Sequence, residues 1–249
     1  MDSNKNKYKS IFKEVLKEIK PSEKENDFYI DQANEIVERL EKVLPKDTEV
    51  RVVGSLARGT NLKGNSDVDI FILFDKKLGK EKAVEKGIES IKKIIKKEEK
   101  YEMKYAEHPY IRLYLNSGLR ADIVPALKID SIEELATAVD RTPLHNKFLL
   151  EHFNEKQKDE VRLLKQFLKA HGIYGSEIKT RGFSGYLSEL LIYFFGDFLS
   201  VLEYFSKAKL PILLDPKNKL FLDNSFSRKF ESEFVVIDPV DPNRNVAAS

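Results

Sequence analysis

The chain has 249 residues, 41% of them apolar, which is enough for two modest domains with real cores. Its 43 Lys and Arg nearly balance 41 Asp and Glu, for a net charge of +2, so a nucleic-acid surface must come from local clustering and not from bulk charge. The absence of Cys excludes disulfides and thiolate metal sites; the apolar runs are too short for a bilayer span and the N-terminus is too charged for a signal peptide, so a soluble, cytoplasmic protein without membrane contact is expected.

Tyr8 to Lys20 places Ile11, Phe12, Val15, Leu16 and Ile19 on one stripe and predicts an amphipathic helix, broken at Pro21. Ser22 with Glu25 forms a capping-box signature for a second helix that runs to about Leu44, before Pro45. Glu49 to Val53 is a short β-favouring run ending at Gly54, which tolerates positive φ and lets a ligand approach the backbone. Ser55 is a good N-cap, so Leu56 to Arg58 is expected to open a short helix whose N–H groups suit phosphate oxygens. Arg58 either adds charge there or braces the turn, and Gly59 and Gly64 read as turn residues.

Val68 to Phe74 is almost wholly apolar and predicts a central strand buried on both faces. Asp67 and Asp69 open it at alternate positions, so their carboxylates point the same way. Such aspartates are either solvated or need a partner, because unpaired buried charge is costly, and a divalent metal supplies one. A Lys/Glu-rich helix near Lys80 to Lys97 follows. Its clusters, Lys92-Lys93 with Lys96-Lys97 and Lys76-Lys77 with Lys80 and Lys82, read first as solvated helix faces and second as RNA contacts. Tyr110 to Leu115 and Leu119 to Val124 predict a hairpin across Asn116-Ser117-Gly118, its second strand stopping at Pro125. Mid-strand Asp122 is either a third carboxylate for the metal or an ion-pair partner of Arg112 or Arg120.

From about Ser131 the pattern turns helical. Ser131 to Glu134 is a start signal, and Thr142-Pro143 precedes a helix through His152. Lys156 to His171 is amphipathic, with Gly172 placed as its C-cap, and Phe183 to Phe205 is a long aromatic helical stretch. Phe234 to Ile237 predicts a strand with no later partner in the chain. No internal repeat is present.

Gly54-Ser55, Asp67-Val68-Asp69 and Asp122 together resemble the nucleotidyltransferase superfamily of DNA polymerase β. More narrowly, the chain is similar to the archaeal, class I CCA-adding enzymes. That likeness is carried by Arg58-Gly59-Thr60, Ala121-Asp122-Ile123-Val124-Pro125, Asp140-Arg141-Thr142-Pro143-Leu144-His145, Gly172-Ile173-Tyr174-Gly175-Ser176-Glu177 and the run from Ile237 to Ala247. It implies an α+β chain: a polymerase β-like nucleotidyltransferase domain with a small mixed sheet (1–140), a mainly α-helical neck (141–232), and the opening of a body domain (233–249).

The resemblance also implies roles. Asp67, Asp69 and Asp122 would be the catalytic carboxylates holding Mg²⁺, with Asp67 standing where Glu is frequent in the family. Gly54, Ser55, Arg58, Thr142, His145, Lys165 and Tyr174 would hold the nucleotide's triphosphate, and Arg244, near Asp238 and Asn245, its base. Read without the family, Lys165 is an exposed helix residue, Tyr174 a loop-packing residue, His145 a surface or capping histidine and Arg244 a terminal charge. The implied reaction adds CMP, CMP and AMP from CTP and ATP to the 3′ end of tRNA by two-metal phosphoryl transfer. Full members continue past the equivalent of Ser249, so the chain is expected to be a truncated piece or one half of a divided enzyme completed by a separate C-terminal polypeptide. A poly(A)- or oligoadenylate-type polymerase and a non-catalytic nucleotide-binding fragment stay open as alternatives, as does the oligomeric state.

Overall fold

The computed structural model describes residues 2–64, 67–175 and 180–248, with side chains from residue 8 onward; Ser176 and Glu177 of the motifs above lie outside them. The chain divides into two compact units, one of residues 21–147 and one of 1–20 with 148–249. The first helix, α1 (Asp2–Ile19), belongs to the second unit and not to the domain expected over 1–140. Its stripe of Phe12, Val15, Leu16 and Ile19 joins the same apolar cluster as Leu163, Leu190 and Ile192.

The 21–147 unit opens with α2 (Glu23–Glu41), capped by the Ser22 side chain, which accepts from Glu25 N at 3.2 Å. Next come β1 (Glu49–Val53), the one-turn helix α3 (Gly54–Arg58), β2 (Asp67–Asp75), α4 (Lys80–Ile94), β3 (Lys100–Tyr105), β4 (Pro109–Tyr114) and β5 (Arg120–Lys128). The strands form one mixed sheet in the order β1-β2-β5-β4-β3, in which only β2 and β5 run parallel. β3 has no counterpart among the predicted strands: its Lys100-Tyr101-Glu102-Met103-Lys104-Tyr105 sequence is mostly exposed, as an edge strand can be.

The period of two gives this sheet two different faces. Val68, Ile70, Ile72 and Phe74 of β2, with Ile111, Leu113 and Ile123, pack under Ile36, Leu40 and Ile91 of α2 and α4 in the main core. The opposite face carries a smaller cluster, Val53, Phe71, Leu73 and Ala126, and beyond it the aspartates.

Two local expectations fail here for identifiable reasons. β5 does not stop at Pro125 but continues to Lys128, with Pro125 opposite Ile72. β4 accompanies β5 only as far as Ile123, so a missing N–H on that side breaks no ladder bond, and His108 Nε2 bonds the Pro125 carbonyl at 2.7 Å instead. Ser55 is not an N-cap, because α3 already starts at Gly54 with Val53 in the capping position. Of the lysine clusters, Lys76 pairs with Glu134 and Lys96 with Glu35.

In the second unit, α5 (Thr142–His152) spans the division, and α6 (Glu155–Ala170) is held at its start by a reciprocal Asn154–Gln157 capping box. The stretch expected as one helix from Phe183 to Phe205 is two, α7 (Gly185–Phe195) and α8 (Phe198–Lys207), bent by 92°. Gly196 turns with φ 94° and Asp197 restarts the helix by accepting from Ser200 N at 2.8 Å. No single helix among the described residues is long and apolar enough to cross a membrane. After β6 (Ile212–Asp215), β7 (Leu220–Phe221) and α9 (Asn224–Phe230), β8 (Phe234–Val236) pairs in parallel with β6. The expected opening of a third domain at 233 is therefore a strand of this unit's own three-stranded sheet, ordered β7-β6-β8. The four-residue β6 was too short for its alternation to be read from the sequence.

Gly87 lets α4 lie close on β5: a Cβ there would stand 2.5 Å from the Pro125 ring. Gly87→Ala is expected to lower the urea midpoint, with overpacking of about 1–3 kcal/mol exceeding the gain in helix propensity of about 1 kcal/mol.

Candidate active site

The site is built where β1 turns into α3 against the starts of β2 and β5. Gly54 has φ +79°, and a Cβ on it would sit 2.2 Å from Asp69 Oδ2. Only glycine fits both the backbone angle and the carboxylate behind it. Gly59, also left-handed at φ 64°, ends α3 one turn later. Arg58 is buried, and its Nη1 donates to Asn146 Oδ1 at 3.0 Å, so of its two expected roles the brace is realised, between α3 and α5.

The β2–β5 register sets Asp69 beside Asp122 and Asp67 beside Arg120, while on the other flank of β5 Arg112 is opposite Asp122. Paired positions on neighbouring strands share a face about 5 Å apart. Burial raises the Asp69 carboxyl to about 6; the Asp122 and Asp67 charges add to this, and Arg58 and Arg112 oppose it. Arg112 grips Asp122 with a fork, Nε to Oδ1 and Nη2 to Oδ2, each at 2.7 Å. Hydrogen bonding to that carboxylate holds the guanidinium's pKa above its usual value. Arg120 Nε lies 2.7 Å from Asp67 Oδ1.

The donor set fits a hard divalent cation in kind: carboxylate oxygens on one face, a glycine that leaves room for one of them, and like charges raising a proton affinity. The expectation that the three carboxylates converge on one point needs correction. Among the described residues, no group of three His, Cys, Asp or Glu side chains stands ready to enclose an ion. Asp67 and Asp122 are turned to Arg120 and Arg112, the ion-pair alternative for Asp122.

The remaining candidates divide between the units. Thr142 and His145 lie three positions apart on α5, half-buried on one face, in the same unit as the aspartates up to Lys147. Lys165 and Tyr174 belong to the second unit and meet at the start of α7: a Cβ on Gly185 would be 3.0 Å from Tyr174 Oη and 4.0 Å from Lys165 Nζ. Lys165 is not exposed but buried, 3.1 Å from Glu189 Oε1, itself fully buried. Arg244 is no frayed terminal charge. Its Nη1 donates to Asp238 Oδ2 at 2.9 Å, and the buried Asp238 also accepts from Tyr186 Oη at 3.1 Å.

Glu189 and Asn146 are the site residues that sequence reasoning did not assign, and Arg112 and Arg120 entered it only as alternative ion-pair partners of Asp122. Glu189 had a signal, as the lone charge in the run Gly185–Phe195. Asn146 had none.

Residues 30–155 match the family described as a nucleotidyltransferase domain, and residues 159–249 match the second domain of tRNA nucleotidyltransferases. The chain is 44% identical over 247 residues to a CCA-adding enzyme of Methanocaldococcus jannaschii, covering 96% of this chain and 55% of that protein. It is equally 44% identical to one from Sulfurisphaera tokodaii, with the same coverage. The chain thus spans about half the length of the curated relatives it matches. Among solved structures it resembles Cid1, described as an RNA terminal uridylyl transferase, with a TM-score of 0.77 at 16% identity over 98% of this chain and 88% of that one, a likeness of fold.

Two outcomes follow from the geometry. Gly54→Ala is expected to cost about 1–3 kcal/mol by overpacking and backbone strain and to move the Asp69 carboxylate, read as a lowered denaturation midpoint and a shifted Asp69 carboxyl carbon resonance. In chelator-treated protein that resonance should change with a midpoint near pH 6. Because the folded state holds this proton more tightly than the unfolded chain, its contribution to stability is present at low pH and is lost as pH rises from about 4 through 6. Asp69→Asn should flatten that decline, about 1–2 kcal/mol for a half-buried group.

Proposed function

Since the chain belongs to the nucleotidyltransferase family, we propose that it forms the catalytic part of a template-independent tRNA nucleotidyltransferase that adds CMP, CMP and AMP from CTP and ATP to the tRNA 3′ end. The observation that carries the reading is the β2–β5 register, which seats Asp69 beside Asp122 behind the Gly54 turn. The choice of tRNA is supported by relatives named CCA-adding enzymes, which align with 96% of the chain.

Asp67, Asp69 and Asp122 are the residues that would hold Mg²⁺, whose chemistry, once bound, is to neutralise the triphosphate and make the primer's 3′-hydroxyl more acidic. Gly54 keeps the backbone open to a phosphate, and the first turn of α3, Ser55 included, has no side-chain cap on its N–H groups from Val53. Thr142 and His145 supply further donors from α5. Arg58 contributes charge from behind the turn while bracing it. In the second unit, Lys165 with Tyr174 and Arg244 are assigned to triphosphate and base. Glu189 holds the Lys165 ammonium in place, and Asp238 aims the Arg244 fork, which suits the paired acceptors of a base edge. The tRNA grip is assigned to sequence beyond the matched half, either continuing this protein or supplied by a separate polypeptide.

The test is incorporation of radiolabelled CTP and ATP into tRNA lacking its terminal residues, with and without the C-terminal half of a relative. Addition that stops after three nucleotides supports the reading, and unlimited adenylate tailing replaces it with a poly(A)-type polymerase. Metal-dependent CTP binding with no incorporation in either mixture replaces it with a binding module. Asp69→Ala is expected to abolish incorporation, on the order of 10³-fold or more, while retaining part of the CTP affinity; full turnover by that variant contradicts the assignment.

A further inference from the structure

The arginines on the aspartate face do more than neutralise it. Three carboxylates (Asp67, Asp69, Asp122) meet three guanidiniums: Arg58 acts on Asp69, Arg112 takes both oxygens of Asp122, and Arg120 takes Asp67. Arg58 is buried and tied to Asn146, whereas the Arg112 and Arg120 side chains are 30% and 44% exposed. A carboxylate whose two oxygens are both taken by a guanidinium has no free donor of full strength for a cation, and the guanidinium's charge repels the cation as well.

We propose that Arg112 and Arg120 are ionic latches: each competes with a divalent cation for its aspartate, and once displaced is presented to a backbone phosphate of the RNA strand. This rests on the reading of Asp67, Asp69 and Asp122 as the metal-binding carboxylates. The surroundings of the latches suit RNA. Arg112 lies between Tyr110 and Tyr114 on the same face of β4; on β3, Lys104 is opposite Tyr110, Lys100 is opposite Tyr114, and Glu102, paired with Lys104, is opposite Arg112 itself. Aromatic rings interleaved with cations on an open sheet face are the chemistry that stacks unpaired bases and holds their phosphates. A guanidinium fork fits phosphate as well as it fits carboxylate, so the exchange needs only a side-chain swing at a solvent-facing position. Metal and RNA binding are then positively coupled, and by linkage each raises the other's affinity by the same factor.

The experiment uses the full chain, with Mn²⁺ as the metal probe counted by electron paramagnetic resonance and a fluorescein-labelled single-stranded RNA followed by anisotropy. In the parent, Mn²⁺ should tighten RNA binding about fivefold or more. Arg112→Gln should bind Mn²⁺ more tightly than the parent, by a similar factor, yet bind RNA more weakly with Mn²⁺ present. Arg112→Lys, which keeps the charge without the fork, should fall between. Arg120→Gln, at the more exposed position, carries the same expectation if the Arg112 variants do not fold. Mn²⁺ affinity unchanged or weakened in folded Arg112→Gln and Arg120→Gln overturns the latch and leaves the arginines as braces. RNA affinity insensitive to Mn²⁺ in the parent overturns the hand-over. Asp122→Asn should lose Mn²⁺ affinity; if it binds Mn²⁺ like the parent, the metal reading itself fails, and the latch with it.

Discussion

Like charges set side by side on a sheet must be compensated locally, and most of the first unit's site can be traced to that requirement. The β2–β5 pairing brings Asp69 next to Asp122 on one face of the sheet. Carboxylates so close cannot all ionise freely, and burial together with the neighbouring charges raises the proton affinity of Asp69. The surrounding residues answer this in two ways. Gly54 gives up its side chain so that an Asp69 oxygen has somewhere to go, and Arg58, Arg112 and Arg120 supply opposite charge from three different elements. The apolar face of the same strands, packed under α2 and α4, keeps the register from slipping, because a one-residue shift would send Val68, Ile70 and Ile72 to the charged side.

The second unit solves a related problem with buried pairs. Lys165 and Glu189 are both removed from water and bonded to each other, and Arg244 is aimed by an equally buried Asp238. Such pairs return little net stability, because desolvation offsets the attraction, but they fix where a cation sits. Gly185, where a side chain would crowd Tyr174 and Lys165, keeps the same spot open at the start of α7.

The likeness to Cid1 at 16% identity shows how little of the sequence the architecture needs. Gly54, Asp69 and Asp122 are positions that apolar alternation alone would not select.

Much of this was readable along the chain. The period of two in Asp67-Val68-Asp69-Ile70 set both aspartates on one face, the stripe in Tyr8–Lys20 announced α1, and the amphipathic run from Lys156 to His171 announced α6. Other features needed the folded molecule. Asp122 had two arginines within reach in sequence, and only the β4–β5 register selected Arg112. The unit to which α1 belongs, the pairing of β8 with β6, and the burial of Lys165 against Glu189 were likewise invisible. The reason is physical: periodicity records which face of an element turns inward, because neighbouring residues share one backbone geometry. Which distant face it meets depends on the complementarity of surfaces far apart in the chain, and that exists only once both have formed.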